Sequence, residues 1–209
     1  MLGQYRTLHM VGLLPLIAMI LLSSTSPAQS QATIAGLRVA FQQETNDAAR
    51  YLAYARQADV EGLAEVSSLF RAIARAEAIH AENQARILHS LGATTRPRVE
   101  AVNCGTTEEN LHAAMASEDQ QQHRSYPALV HRAKQERRNG IAERIQRIRD
   151  AEGQHGFVLS QALSNLRLSK SSDQRYFYVC PDCGYTTEEV TFDRCPVCFG
   201  AGERFEMLS

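Results

Sequence analysis

The 209-residue chain has almost no net charge, 22 lysines and arginines against 23 aspartates and glutamates, so nothing in its balance points to nucleic acid. The basic cluster Arg132, Lys134, Arg137 and Arg138 is offset by neighbouring acids and reads as a solvated helix face. It has no apolar run long enough to span a bilayer. The stretch from Val11 to Leu22 is about a dozen residues against the ~20 required, and it contains Pro15. No twin-arginine pair precedes it, and no internal low-complexity run follows it. Cysteine is sparse through most of the chain: of five, only Cys104 lies before residue 180, in no motif, and it reads as a bystander. With 44% hydrophobic side chains, the chain holds one good core and a small appendage.

Arg6 and His9 ahead of the short apolar run, then small residues and Ala28-Gln29-Ser30, predict a cleaved signal peptide over residues 1–30 and an exported, periplasmic product. An uncleaved anchor and a start at Met19 are the alternatives. The mature chain then divides into helical residues 31–168, a polar linker at 169–175 and a tail at 176–209.

Four helical seams carry the chemistry. Ile34, Leu37, Phe41, Glu44, Ala48 and Tyr51 lie on the first helix, which should run from about Thr33 to Asp59. Leu69, Ile73, Glu77, His80, Gln84, Ile87 and Leu91 lie on the second. Leu111, Met115, Glu118 and Gln122 follow on the third, and Ile141, Ile145, Ile148, Glu152, His155, Leu159, Ala162 and Leu166 on the fourth. Glu77-x-x-His80 and Glu152-x-x-His155 each set a carboxylate and an imidazole one turn apart on a core face. Burying an unpaired carboxylate costs on the order of several kcal/mol, so four of them in one interior imply cations there. One Glu from each of two helices plus Glu-x-x-His from each of the other two is the donor set of di-iron and di-manganese bundles. His89, His112, His123 and His131, with Glu82, Glu108 and Glu109, read as ordinary surface or capping groups. The passage from Pro97 to Gly105 fits the one long crossover of a ferritin-like bundle. Thr106 and Glu109 offer a capping box, and Pro127 should kink the third helix.

In the tail, Cys180-x-x-Cys183 and Cys195-x-x-Cys198 predict one tetrahedral thiolate site for zinc or iron, with paired disulfides as the remaining option. So short a tail needs the metal to fold.

Across nearly all of its mature length the sequence resembles rubrerythrin. The carrying features are Glu44 seven residues before Tyr51, Glu77-x-x-His80, Asn110-Leu111-His112-Ala113-Ala114 leading to Glu118 and Tyr126-Pro127, Glu152-x-x-His155, and the Cys-x-x-Cys-Gly-Tyr and Cys-Pro-x-Cys knuckles. The resemblance implies an all-α ferritin-like four-helix bundle with a small C-terminal rubredoxin-like, zinc-ribbon-like β domain. By carry-over, Glu44, Glu77, His80, Glu118, Glu152 and His155 hold two irons, with Glu77 and Glu118 as bridges. Tyr51 and Tyr126 steady the carboxylates, and Cys180, Cys183, Cys195 and Cys198 hold one iron or zinc. The implied activity is a peroxidase reducing hydrogen peroxide, fed by a reduced electron-donor protein. The resemblance also implies a head-to-tail homodimer, in which one chain's cysteine site lies near its partner's di-iron centre and the short linker need not bring together the two sites of one chain. A ferroxidase or iron-handling protein and a non-catalytic zinc-ribbon binding module are the competing readings. Two departures stand out. Gln121 occupies a position that is usually Glu, so His80 is expected to stay bound in both redox states. Phe199 replaces a small residue after the second knuckle.

Overall fold

The structure, a computed structural model, describes residues 27–168 and 175–209. The expected signal segment up to residue 26 and the linker at 169–174 lie outside the described residues. Five α-helices come first: α1 Pro27–Val60, α2 Ala64–Ser90, α3 Thr107–Gln120, α4 Tyr126–Gln135 and α5 Asn139–Leu168. α3 and α4 are joined by a π-helical turn, Gln121–Ser125, and together act as the third rod of a four-helix bundle. No helix among the described residues is long and apolar enough to cross a membrane.

α1 starts six residues earlier than the seam suggests. Thr33 is nonetheless its first fixed point, because its backbone N–H donates to the buried Glu136 carboxylate at 3.0 Å. α3 opens with the capping box read from the sequence: the Thr106 side chain accepts from the Glu109 N–H, and the Glu109 carboxylate accepts from the Thr106 N–H.

The irregularity expected at Pro127 falls just before it. Pro127 sits in the first turn of α4, where a missing N–H is tolerated, and the extra residue is taken up by the π turn. The Arg149 side chain on α5 donates to the Gln122 carbonyl at 2.8 Å, satisfying a group that the turn displaces. The phase change buries Gln121 rather than Gln122, so the third seam departs there from its simple 3.6-residue reading.

The apolar seams close around two core regions, one above and one below a polar middle. Tyr51, Leu69, Phe70, Ile73, Leu111 and Leu159 belong to one, Leu37, Ile87, Leu88, Tyr126, Ile145 and Ile148 to the other. The tail forms a three-stranded antiparallel sheet, β1 Phe177–Val179, β2 Thr186–Thr187 and β3 Glu206–Leu208, in the order β2-β1-β3. Phe177 and Val179 of β1 point into the first of those core regions, so the sheet is docked on the bundle. Arg75 on α2 holds Glu206 through two nitrogens at 2.7 and 2.9 Å, and Asn83 donates to the Asp182 carbonyl at 2.9 Å.

Candidate metal centres

Between the two core regions, Glu44, Glu77, His80, Glu118, Glu152 and His155 are all buried. Their donor atoms form two overlapping groups, Glu44 with Glu77, His80 and Glu152, and Glu77 with Glu118, Glu152 and His155. Each group therefore has one private carboxylate, one private imidazole and two shared carboxylates. The shared pair is Glu77 and Glu152. The bridging pair carried over from the resemblance was Glu77 and Glu118. In the donor groups Glu152 stands where that carry-over has Glu118.

The two imidazoles are oriented from outside the bundle. His80 Nε2 lies 2.9 Å from the Cys183 carbonyl, and His155 Nε2 lies 3.0 Å from the Gly184 carbonyl with Thr186 Oγ1 at 3.3 Å. A carbonyl only accepts, so each Nε2 carries the hydrogen and each Nδ1 is turned toward the carboxylates. His80 Nδ1 is 3.0 Å from both Glu77 Oε2 and Glu152 Oε1, and His155 Nδ1 is 3.2 Å from Glu152 Oε2 and from Glu77 Oε1. Lone pairs facing carboxylate oxygens at this range require a cation between them. Without metal that cation is the proton: against the opposing effect of burial, Glu152 and Glu77 push His80 up to about 10.

Glu44 and Glu118 are raised well above the ordinary carboxylate range, first by burial and then by the charges of Glu152 and Glu77. Glu44 Oε2, Glu77 Oε1, Glu118 Oε2 and Glu152 Oε1 are buried and, apart from the imidazole Nδ1 atoms near the last three, have no hydrogen-bond partner. These four oxygens and two inward Nδ1 atoms fit a pair of divalent ions, whose four positive charges match the four carboxylates. Two tyrosines reach the outer oxygens of these carboxylates. The Tyr51 hydroxyl donates to Glu118 Oε1 and the Tyr126 hydroxyl to Glu44 Oε1, while the Gln84 amide donates to the Tyr126 oxygen at 2.7 Å. Burial raises both phenols further, so they remain donors.

One residue of this site escaped the sequence reading. Asp47 is 1% exposed and stands three residues after Glu44 on the buried side of α1, where Ala48 was expected. It pairs with Arg50 at 2.6 Å and accepts from the Gln121 amide at 2.8 Å. Burial pushes it up to about 7 against the pull of Arg50, with Glu77 and Glu152 adding to the rise. The Glu-x-x-Asp spacing was the available signal. Gln121 is thereby committed to Asp47 and turned to a partner other than metal.

The four cysteines converge as their spacing requires. Cys180 Sγ lies 3.5 Å from Cys198 Sγ and Cys183 Sγ lies 3.6 Å from Cys195 Sγ. That is near the ~3.8 Å edge of a tetrahedron with ~2.3 Å metal–sulfur bonds, and far from the ~2.05 Å of a disulfide. The knuckles repeat one backbone pattern: the Gly184 N–H donates to the Cys180 carbonyl and the Phe199 N–H to the Cys195 carbonyl, both at 2.9 Å. Cys104 lies in the crossover, outside every cluster of potential ligands among the described residues.

The two sites meet within one chain, since the carbonyls that orient His80 and His155 belong to the first cysteine knuckle. The short linker is thus no obstacle to their approach. Gly184 makes the contact feasible: its φ is 79°, and an added Cβ would lie 2.5 Å from His80 Nε2.

The rubrerythrin family model matches residues 36–171. Nigerythrin of Nitratidesulfovibrio vulgaris is 28% identical over 174 residues, 83% of this chain and 85% of that protein. Rubrerythrin-1 of Clostridium acetobutylicum is 28% identical over 188 residues, 85% of this chain and 94% of that protein. A structure of nigerythrin in its fully reduced, all-ferrous state aligns with a TM-score of 0.77 at 26% identity, covering 84% of this chain and 86% of the other. Bacterioferritin of Desulfovibrio desulfuricans, at 20% identity and a TM-score of 0.64 over 69% of this chain and 85% of the other, shares the fold. With the match spanning the bundle and its ligand helices, the chain belongs to the rubrerythrin family.

Proposed function

We propose that the protein is a non-haem di-iron peroxidase that reduces hydrogen peroxide to water with electrons delivered through a rubredoxin-type iron site. The observation that carries this reading is the junction: a single hydrogen bond separates the first cysteine knuckle from each imidazole of the carboxylate cluster. An iron-storing bundle or a binding module has no use for it. Iron is the proposed metal because a related structure is all-ferrous.

Two ferrous ions held there would supply the two electrons that cleavage of one O–O bond consumes, with two protons, to give two waters. The protein's own groups do the rest. Glu77 and Glu152 belong to both donor groups and would hold both ions, and Glu44 and Glu118 would each hold one. The Tyr126 and Tyr51 hydroxyls fix the rotamers of Glu44 and Glu118 through the oxygens that do not face the centre. A cavity of about 270 Å³, lined by Ala40, Glu44, Gln121, Tyr126 and Leu129, gives a small neutral substrate a way in from the surface. On the other side of α1, Asp47 borders a larger cavity of about 750 Å³ and is placed to hold a proton close to the cluster.

The competing ferroxidase reading is favoured by Gln121, whose commitment to Asp47 leaves a plain four-Glu, two-His donor set. Anaerobic stopped flow separates the two. A peroxidase requires the reduced protein to react with peroxide much faster than with oxygen, and the reverse order would establish the ferroxidase. Metal analysis tests the binding-module reading, which requires zinc and no colour. Two further elements belong to the proposal. The N-terminal segment directs export, to be checked by the mass of the secreted product. The chain forms a homodimer, in the head-to-tail arrangement that the resemblance implies, to be checked by sedimentation against the 23.2 kDa chain mass.

A further inference from the structure

The cysteine site is shielded unevenly. Cys180, Cys183 and Cys195 are buried, whereas Cys198 is partly exposed. Beside it, a cavity of about 310 Å³ is lined by Cys183 and Cys198 and by Arg86 of α2 and Arg144 and Arg147 of α5. All three arginines are exposed. Arg86 donates to Asn83 and stands 3.8 Å from Glu82, while Arg144 and Arg147 have no acidic partner among the described residues. The one acid lining the cavity, Asp182, is already held by Arg204 at 2.7 and 3.0 Å. The mouth over the sulfurs is therefore positive, on a chain whose net charge is only −1.

A second observation comes from the backbone. Phe199, directly after Cys198, has a φ of 63° and is 64% exposed. The matching position of the first knuckle is Gly184. A phenylalanine in the left-handed region costs on the order of 1 kcal/mol, and here burial returns little of it. An exposed aromatic side chain held at a cost, one residue from the Cys198 that lines an arginine-rich cavity, has the composition of a protein-binding hot spot.

We infer that Phe199, Arg86, Arg144 and Arg147 form the docking face for a small electron-carrier protein whose redox group is ringed by acidic side chains. The inference rests on the reading of the cysteine site as the electron entry. In the docked complex one electron passes from the reduced carrier to the oxidised thiolate-bound iron, oxidising one and reducing the other, and no proton moves. The outward route begins at the partly exposed Cys198, and the inward route leaves through the Cys183 carbonyl to His80.

The test uses the full-length metal-loaded protein with reduced flavodoxin, a small acidic flavoprotein, as probe. Binding is followed by flavin fluorescence anisotropy, and electron transfer by bleaching of the oxidised thiolate-iron colour. The triple variant Arg86→Glu, Arg144→Glu, Arg147→Glu is expected to lose about tenfold or more in both affinity and second-order rate at low ionic strength. The wild-type rate should fall with salt. Reduction by the cationic complex hexaammineruthenium(II) should be as fast in the variant as in the wild type, or faster. Phe199→Gly should melt no lower than the wild type and still bind flavodoxin more weakly, which separates docking from folding. The inference is overturned by a wild type that does not bind flavodoxin, by variants that bind it equally well, or by equal losses with flavodoxin and ruthenium. Binding that depends on these four residues without any bleaching would uphold the docking face and instead remove the electron-entry role proposed above.

Discussion

Asp47 makes the sharpest demand on its surroundings, because it is buried beside four other carboxylates and belongs to neither metal-ligand group. Burial pushes its carboxyl up to about 7 in the folded chain, against an ordinary 3.8 when unfolded. Between those values the folded state holds a proton that the unfolded state has released, so stability is fully present below about pH 4. It declines as pH rises and levels off above 7. Asp47→Asn keeps an acceptor for Gln121 and never ionises. In the metal-free protein it should match the wild type near pH 4 and exceed it above pH 7, by about 4 kcal/mol at most. Urea denaturation across that range measures the gap, and parallel curves would show that Asp47 ionises freely. The Tyr126 hydroxyl joins Glu44 to Gln84, so Tyr126→Phe leaves both without that partner. A loss of about 1–3 kcal/mol in the metal-free protein is expected from the same measurement.

At the scale of elements, the two knuckles offer a matched pair of substitutions with opposite signs. Gly184 has a φ of 79° and abuts His80, whereas Phe199 has a φ of 63° and faces solvent. Gly184→Ala should therefore destabilise by about 2 kcal/mol or more, from the backbone and from the collision with the imidazole. It should also speed amide exchange in β1 and along α2 around His80. Phe199→Gly should stabilise by about 1 kcal/mol. Thermal unfolding of the two variants reads both signs, and a loss in each would remove the strain assigned to Phe199. The contrast also shows what the sequence made legible. Helices, capping box and ligand faces follow from apolar spacing, as with Ile145, Ile148, Glu152 and His155 on one face of α5. The π turn does not, since an i→i−5 step leaves no compositional mark, and it moved the buried position from Gln122 to Gln121. The exchange of Glu118 for Glu152 in the shared pair needed the relative placement of helices, which spacing within one helix does not carry. The docking of the knuckle on the histidines runs through backbone carbonyls, to which side-chain patterns are blind.

For the whole molecule, the balance between metal and fold is the quantity to measure. The bundle gives its middle to six polar groups where apolar side chains would pack, and its two core regions must carry that cost when metal is absent. Replacing the two shared carboxylates, Glu77→Met and Glu152→Met, removes half of the buried negative charge and the common edge of both ligand groups. The variant leaves His80 and His155 buried without the acids that hold their protons, so when metal-free it should be less stable than the metal-free wild type by about 3–5 kcal/mol. Ferrous ion added anaerobically should widen the gap. A site loaded at about one hundred times its dissociation constant gains ~2.7 kcal/mol, and two such sites gain roughly twice that, whereas the variant should gain almost nothing in the bundle. The cysteine site contributes equally to both proteins if it is filled beforehand, so the difference between the unfolding curves with and without added iron isolates the carboxylate centre. A wild type indifferent to iron, or a variant that gains as much from it, would mean that Glu77 and Glu152 are not shared ligands and that protons alone hold the middle of the bundle together.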